Sequence, residues 1–255
     1  DERAFADLVA LTQFLPGPAS SQTGIALGWL RAGWRGALAA WAGFTLPSAI
    51  AMIAFALGIA QHGALASSGA VRGLKIVAVA IVAQAVWTMS RALCPDWPRR
   101  VLAVFAALLA FVLPPALGQV GAIAVSGLLG WWLLELPARQ AVAHLSFGVP
   151  TSTAVAALVL FALLLLGLPL AAALTHSPLL HLLDGFYRAG ALVFGGGHVV
   201  LPLLQAAVVP GGAVSNADFL AGYGAAQAVP GPLFTFAAYL GAVMDGRLSG
   251  WIGGF

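Results

Sequence analysis

The residues of this sequence that most directly indicate a binding site lie in two copies of a Gln-x-x-Pro-Gly-Pro motif. The first covers residues 13–18 and the second residues 227–232, so the copies are 214 residues apart. Phe5 and Phe219 coincide at the same spacing. A glutamine and a whole Pro-Gly-Pro are uncommon in apolar sequence, and their recurrence in this order therefore indicates an internal duplication.

Each Pro-Gly-Pro is expected to end one helix and start another. Proline lacks a backbone donor and disfavours helical angles in the residue before it, yet it fits the first position of a new helix. The new helix presents unpaired amides and a partial positive charge, which together favour an anion. The substrate-binding residues that these motifs predict are Gln13, Pro16, Gly17, Pro18, Ser20, Ser21 and Gln22 in the first copy, and Gln227, Pro230, Gly231, Pro232 and Thr235 in the second.

Two further features add candidates for the same substrate site. Gly195, Gly196 and Gly197 predict a second unwound stretch, with His198 as a hydrogen-bond donor or proton carrier. Lys75 lies inside an apolar segment, where a cation is costly and tends to be functional. The structural alternatives stay open: the prolines only kink helices, the glycines only permit close helix packing, and Lys75 extends to a lipid headgroup.

Composition indicates a membrane protein built from helices. Hydrophobic residues make up 61% of the chain and charged residues only 7%, against about 25% in an average soluble domain. Mean hydropathy is +0.99. Residues 36–61 and 153–174 carry no charge, and about 20 apolar residues suffice for a helix to cross the hydrocarbon core. The apolar runs are continuous rather than alternating, which excludes a β-barrel. We therefore expect an all-α polytopic membrane protein that crosses the lipid bilayer several times.

The hydropathy pattern predicts the positions of the spans. These are a broken segment over residues 5–30, spans over 36–60, 71–90, 101–117 and 120–136, a polar bridge over 137–152, a span over 153–174, a glycine-interrupted segment over 181–204 and a second broken segment over 219–244. Six arginines are expected in loops on one face, which the positive-inside rule makes cytoplasmic. They are Arg31, Arg35, Arg91, Arg99, Arg100 and Arg139.

The duplication predicts the domain organisation. We expect a first repeat over residues 1–136, a linker over 137–152 and a second repeat over 153–255. Arg31 and Arg35 follow the first broken segment, whereas Arg247 beside Asp245 follows the second. This asymmetry favours an inverted-repeat helical bundle with broken, re-entrant helices at the Pro-Gly-Pro motifs, as in many secondary transporters. The chain is expected to be a piece of a longer protein, with the first repeat truncated at its N-terminus and the second at its C-terminus.

Several other functional classes are disfavoured. Eleven basic residues spread over 255 positions form no patch for nucleic acid. One cysteine, five histidines and eight acidic residues, all scattered, predict no metal or other cofactor. A serine hydrolase using Ser20 or Ser21 would want a Gly-x-Ser-x-Gly elbow, which the sequence lacks, so we expect no enzyme. A channel stays an alternative, because a broken-helix pore and a carrier site look alike in sequence.

With these motifs in view, the sequence resembles the chromate ion transporter family, in its two-domain bacterial form. The resemblance is carried by residues 5–24, 43–48, 146–148, 194–203 and 219–241, in the family's order. It implies export of chromate, a tetrahedral dianion, across the bacterial inner membrane, which would confer chromate resistance. It also implies protons as the coupling ion, while a homodimer stays open. Sulfate or another oxyanion is the alternative substrate.

Overall fold

The computed structural model describes residues 2–61, 69–113, 115–134, 147–193, 197, 200–244 and 253–254. These residues are helical almost throughout and contain no strand, which confirms the all-α class. The helices are α1 (Glu2–Phe14), α2 (Ala19–Gln61), α3 (Gly69–Leu93), α4 (Trp97–Val112), α5 (Pro115–Leu133), α6 (Thr151–Thr175), α7 (Pro178–Ala191), α8 (Val200–Val208), α9 (Asn216–Ala228) and α10 (Phe236–Val243), with a 3-10 turn over Leu233–Thr235.

The chain divides into two compact units, one of residues 1–75 with 143–255 and the other of residues 76–142. In the smaller unit, α4 packs against α5. Both helices begin four or five residues before the expected spans at 101 and 120, because Asp96 caps α4 by accepting from the Arg99 amide and Pro115 occupies the first turn of α5. Arg99 and Arg100 therefore lie in the first turn of a helix, which corrects their predicted loop position.

The larger unit is organised around α2, which contacts α1, α9 and α10. Its most deeply buried side chains include Tyr239, Phe236, Met52 and Ile53, none of them measurably exposed. Phe219 meets Phe236 edge to face at 5.0 Å. Separately, α7 packs against α6 and α8. The core of this unit is therefore where α2 meets the residues that follow the second Pro-Gly-Pro.

Helix α2 is interrupted at Ala32 (φ −147°, ψ 26°) and Gly33 (φ 57°, ψ −140°). The interruption falls inside the expected loop between residues 30 and 36. The chain folds back there so closely that a side chain on Gly28 would collide with the backbone of Gly36, and the reverse is equally true. We call residues 19–31 the first half of α2 and residues 34–61 its second half.

Two stretches are long and apolar enough to cross a membrane by length and composition, Ala19–Gly58 and Thr151–Thr175. The first contains the interruption at Ala32 and Gly33 and therefore consists of two helices. The second is α6, which exposes seven of its nine leucines. Topology across the bilayer, the inverted arrangement and the repeat boundaries at 136 and 153 stay predictions.

The two Pro-Gly-Pro motifs interrupt the helices at matching places, and we call them the first break and the second break. Phe14, which ends α1, and Ala228, which ends α9, are 214 residues apart; so are Ala19 and Leu233, where helix resumes. The central glycine of each break has a positive φ, 111° at Gly17 and 145° at Gly231. Residues with a Cβ rarely adopt such angles, which explains why glycine stands there.

Replacing either central glycine should destabilise the protein. Gly17→Ala and Gly231→Ala should each cost about 1–3 kcal/mol because of the positive φ, and at Gly231 the new methyl would also collide with the Ser48 hydroxyl. The thermal unfolding midpoint of the purified full-length protein in detergent would measure this. Gly24→Ala is the matched control, since its helical site has open space for a methyl. Equal midpoints for all three variants would contradict the prediction.

Candidate substrate cavity between the two Pro-Gly-Pro breaks

The first break is held by hydrogen bonds from both sides. Gln22 donates from Nε2 to the Pro16 carbonyl at 2.7 Å, and the Gly17 amide donates to the Val193 carbonyl at 2.7 Å. These bonds satisfy backbone groups that the interrupted helix leaves without partners. Gln22, expected to bind the anion, thus uses its side chain to hold the break.

The second break is held by a residue far away in sequence. Ser48, in the second half of α2, is 1% exposed and donates from Oγ to the Pro230 carbonyl at 3.1 Å. The Thr235 hydroxyl donates to the Pro232 carbonyl at 2.9 Å. In both breaks, then, the carbonyl of the first proline accepts a side-chain hydrogen bond, from Gln22 in one and Ser48 in the other.

The glycine-rich motif runs from the first break to the second, because the described residues on its two sides contact one break each. Val193, two residues before Gly195, accepts the hydrogen bond from Gly17. Gly197 lies against Leu233, whose Cβ would be 2.9 Å from a Cβ added at the glycine. Gly195, Gly196 and His198 lie outside the described residues, so their predicted roles stay predictions.

A cavity of about 390 Å³ lies between the two breaks, within the larger unit. Pro18 and Ser21 line it from the first break, and Pro232 and Thr235 line it from the second. These pairs occupy equivalent positions, because each is separated by 214 residues. The rest of the lining consists of Ile25, Trp41, Thr45, Leu46, Ala49, Phe234, Ala238 and Gly254.

The described lining of this cavity is neutral. It contains no acidic or basic residue and no histidine, and its hydroxyls come from Ser21, Thr45 and Thr235. A volume of this size falls within the roughly 300–1,000 Å³ of small-molecule pockets. The arrangement can therefore surround a small anion with hydroxyl donors and with the amides of the first helical turn after Pro18, without a paired cation in the described wall.

Other predicted site residues lie outside the lining. Gln13 and Ser20 expose their side chains. The Gln227 amide nitrogen is buried and has no hydrogen-bond partner in the described part of the chain. The remaining motif residues, Pro16, Gly17, Pro230 and Gly231, form the backbone turns beside the cavity. The Lys75 side chain lies outside the described residues, so its predicted role stays a prediction.

Sequence reasoning missed the contribution of α2's second half. Trp41 and Thr45 line the cavity and Ser48 holds the second break, yet the hydropathy pattern places all three only within a span. A signal was present, because Thr45 and Ser48 flank Pro47 inside an otherwise apolar helix. Polar residues beside a proline in an apolar span favour a lined cavity over lipid.

Comparison with known families agrees with the resemblance. The sequence model of the chromate transporter family matches residues 1–131 and 180–255. The chain belongs to the chromate transporter family. Membership makes it a membrane protein.

One relative within the chromate transporter family is the chromate transport protein of Pseudomonas aeruginosa. The two chains are 28% identical over 256 residues, covering 96% of this chain and 58% of the relative. The chain thus spans somewhat over half the length of that relative. No solved structure matches this chain.

Removing the Ser48 hydroxyl should loosen the second break. Ser48→Ala removes the donor to the Pro230 carbonyl from a partly buried hydrogen bond, which should cost about 0.5–1.5 kcal/mol. The unfolding midpoint of the full-length protein in detergent measures this loss. Ser152→Ala, which removes an exposed hydroxyl at the start of α6, is the control. A Ser48 variant as stable as this control would show that the bond does not support the break.

Proposed function

We propose that this chain is part of a secondary transporter that exports chromate from the cytoplasm across the bacterial inner membrane and so confers chromate resistance. The observation that carries the proposal is the cavity lined by equivalent residues of the two breaks. Membership of the chromate transporter family supports chromate as the substrate. Similarity to the chromate transport protein of Pseudomonas aeruginosa supports the same substrate class.

In this proposal the anion binds between the breaks and accepts hydrogen bonds from Ser21 and the first-turn amides after Pro18. Thr235 borders the anion from the second break, where its hydroxyl already donates to the Pro232 carbonyl. Helix N-termini favour anions because their unpaired amides and partial positive charge act together. Neutral donors compensate the charge of a dianion while leaving it free to depart, since no fixed cation in the described lining holds it.

The proposed transport cycle uses the pairing of the two breaks. If the repeats are inverted, each break faces a different side of the membrane, and rocking of one repeat against the other opens the cavity to each side in turn. Protons are the proposed coupling ion, with the proton-motive force driving export. A sulfate transporter is the principal alternative, because a neutral lining of hydroxyls does not distinguish two tetrahedral dianions by charge.

Ser21→Ala should weaken chromate transport by the full-length protein about tenfold or more, since hydrogen bonds to charged groups contribute roughly 1.5–3 kcal/mol. Thr235→Val removes the bond to the Pro232 carbonyl beside the anion and should weaken transport less. Inside-out membrane vesicles provide the assay, because export from the cell appears in them as uptake. The control is Thr88→Val, which removes an exposed hydroxyl bonded to its own helix.

Different outcomes separate the alternatives. Chromate uptake that a protonophore abolishes and that the two cavity variants reduce would support the proposal. Sulfate uptake without chromate uptake would assign sulfate as the substrate. Normal uptake in both cavity variants, at equal expression, would move the substrate site away from this cavity.

A further inference from the structure

The second half of α2 forms a third wall of the cavity, which the Pro-Gly-Pro motifs do not account for. Trp41, Thr45 and Ala49 follow one another at intervals of four residues and all line the cavity. Residues spaced in this way share one face of a helix. A continuous face of α2 therefore borders the space between the two breaks.

The hydroxyl of Thr45 differs from most threonine hydroxyls of the described helices. Thr23, Thr88 and Thr175 each donate to the carbonyl four residues earlier, at 2.9, 2.9 and 2.7 Å. Such bonding back to the helix is the usual way for threonine to satisfy its hydroxyl in apolar surroundings. Thr45 makes no hydrogen bond to any described residue, although it is only partly exposed. Its donor is therefore available to whatever occupies the cavity.

The backbone that carries Thr45 is firmly held. Ser48, one turn further along, is bonded to the second break at 3.1 Å. Met52 and Ile53, on the following turn, are fully buried. Ser21 and Thr235, by contrast, belong to the turns that directly follow the breaks. Thr45 thus lies on an uninterrupted helix that is held in place, whereas Ser21 and Thr235 lie next to interrupted backbone.

We infer that Thr45 is a further substrate-binding residue, a second hydroxyl donor that completes a neutral site for a tetrahedral oxyanion with Ser21 and the first-turn amides after Pro18. This rests on the proposed function and deepens it. The two hydroxyls come from different segments of the chain, the first half of α2 and its second half, whereas the Thr235 hydroxyl is already bonded to the Pro232 carbonyl. Donors from different directions suit a tetrahedral ligand, because its oxygens also point in different directions. Trp41 adds an aromatic surface one turn before Thr45.

The test compares Thr45→Val with Thr45→Ser in the full-length protein. Valine keeps the shape of threonine and removes the hydroxyl, whereas serine keeps the hydroxyl. Thr45→Val should raise the apparent KM for chromate in inside-out vesicles about tenfold, with the maximal rate within about twofold, as expected when ground-state binding is lost. Thr45→Ser should retain a KM close to that of the unaltered protein.

Equilibrium dialysis of the purified variants with radiolabelled chromate supplies a readout independent of transport. Weaker binding in Thr45→Val, restored in Thr45→Ser, supports the inference. Unchanged binding and KM in Thr45→Val, while Ser21→Ala is impaired, overturn the role of Thr45 and leave the proposed function standing. Normal transport in Ser21→Ala, Thr235→Val and Thr45→Val alike overturns the cavity as the substrate site. Equal impairment in the valine and serine variants assigns Thr45 to packing and also overturns the inference.

Discussion

An interrupted backbone in apolar surroundings has to find hydrogen-bond partners, and the structure of the larger unit depends on how it does so. Each Pro-Gly-Pro ends a helix and leaves carbonyls and amides without helical partners, and such groups are costly wherever water does not reach them. Gln22 and Val193 supply partners at the first break, and Ser48 supplies one at the second. The positive φ of the central glycines lets the chain approach these partners closely. The cavity is the space that remains between the two turns.

At each break, one of the hydrogen-bond partners lies far away along the chain. Gly17, near the start, bonds to Val193, and Pro230, near the end, accepts from Ser48. Under the predicted repeat boundaries, each break is therefore held in part by the other repeat. Because each break is bonded to the other repeat, moving one repeat alone would break one or both of these hydrogen bonds. The two sides of the cavity are therefore coupled, as the proposed transport cycle requires.

Local rules explain why much of the fold could be predicted from the sequence. Proline and glycine act on their immediate neighbours, so both breaks and the interruption between Arg31 and Arg35 follow from short stretches of sequence. The helix starts at Trp97 and Pro115 precede the predicted spans, because Asp96 caps the first helix and Pro115 fits the first turn of the second, and hydropathy records neither effect. The roles of Ser48 and Thr45 depend on which helix face meets which turn. That is decided by packing between distant segments, which no local pattern contains.

The reversal in α2 places its two halves side by side, and the spacing between them is set by glycine. Gly28 and Gly36 meet backbone to backbone, about 10 Å along the helix from Ser21 and about 13 Å from Thr45. Ser21 and Thr45 line the cavity from the two halves of α2. The close approach of these two halves thus depends on positions about two or more helical turns away from the cavity lining, where glycine has a hydrogen atom and any other residue would have a side-chain carbon.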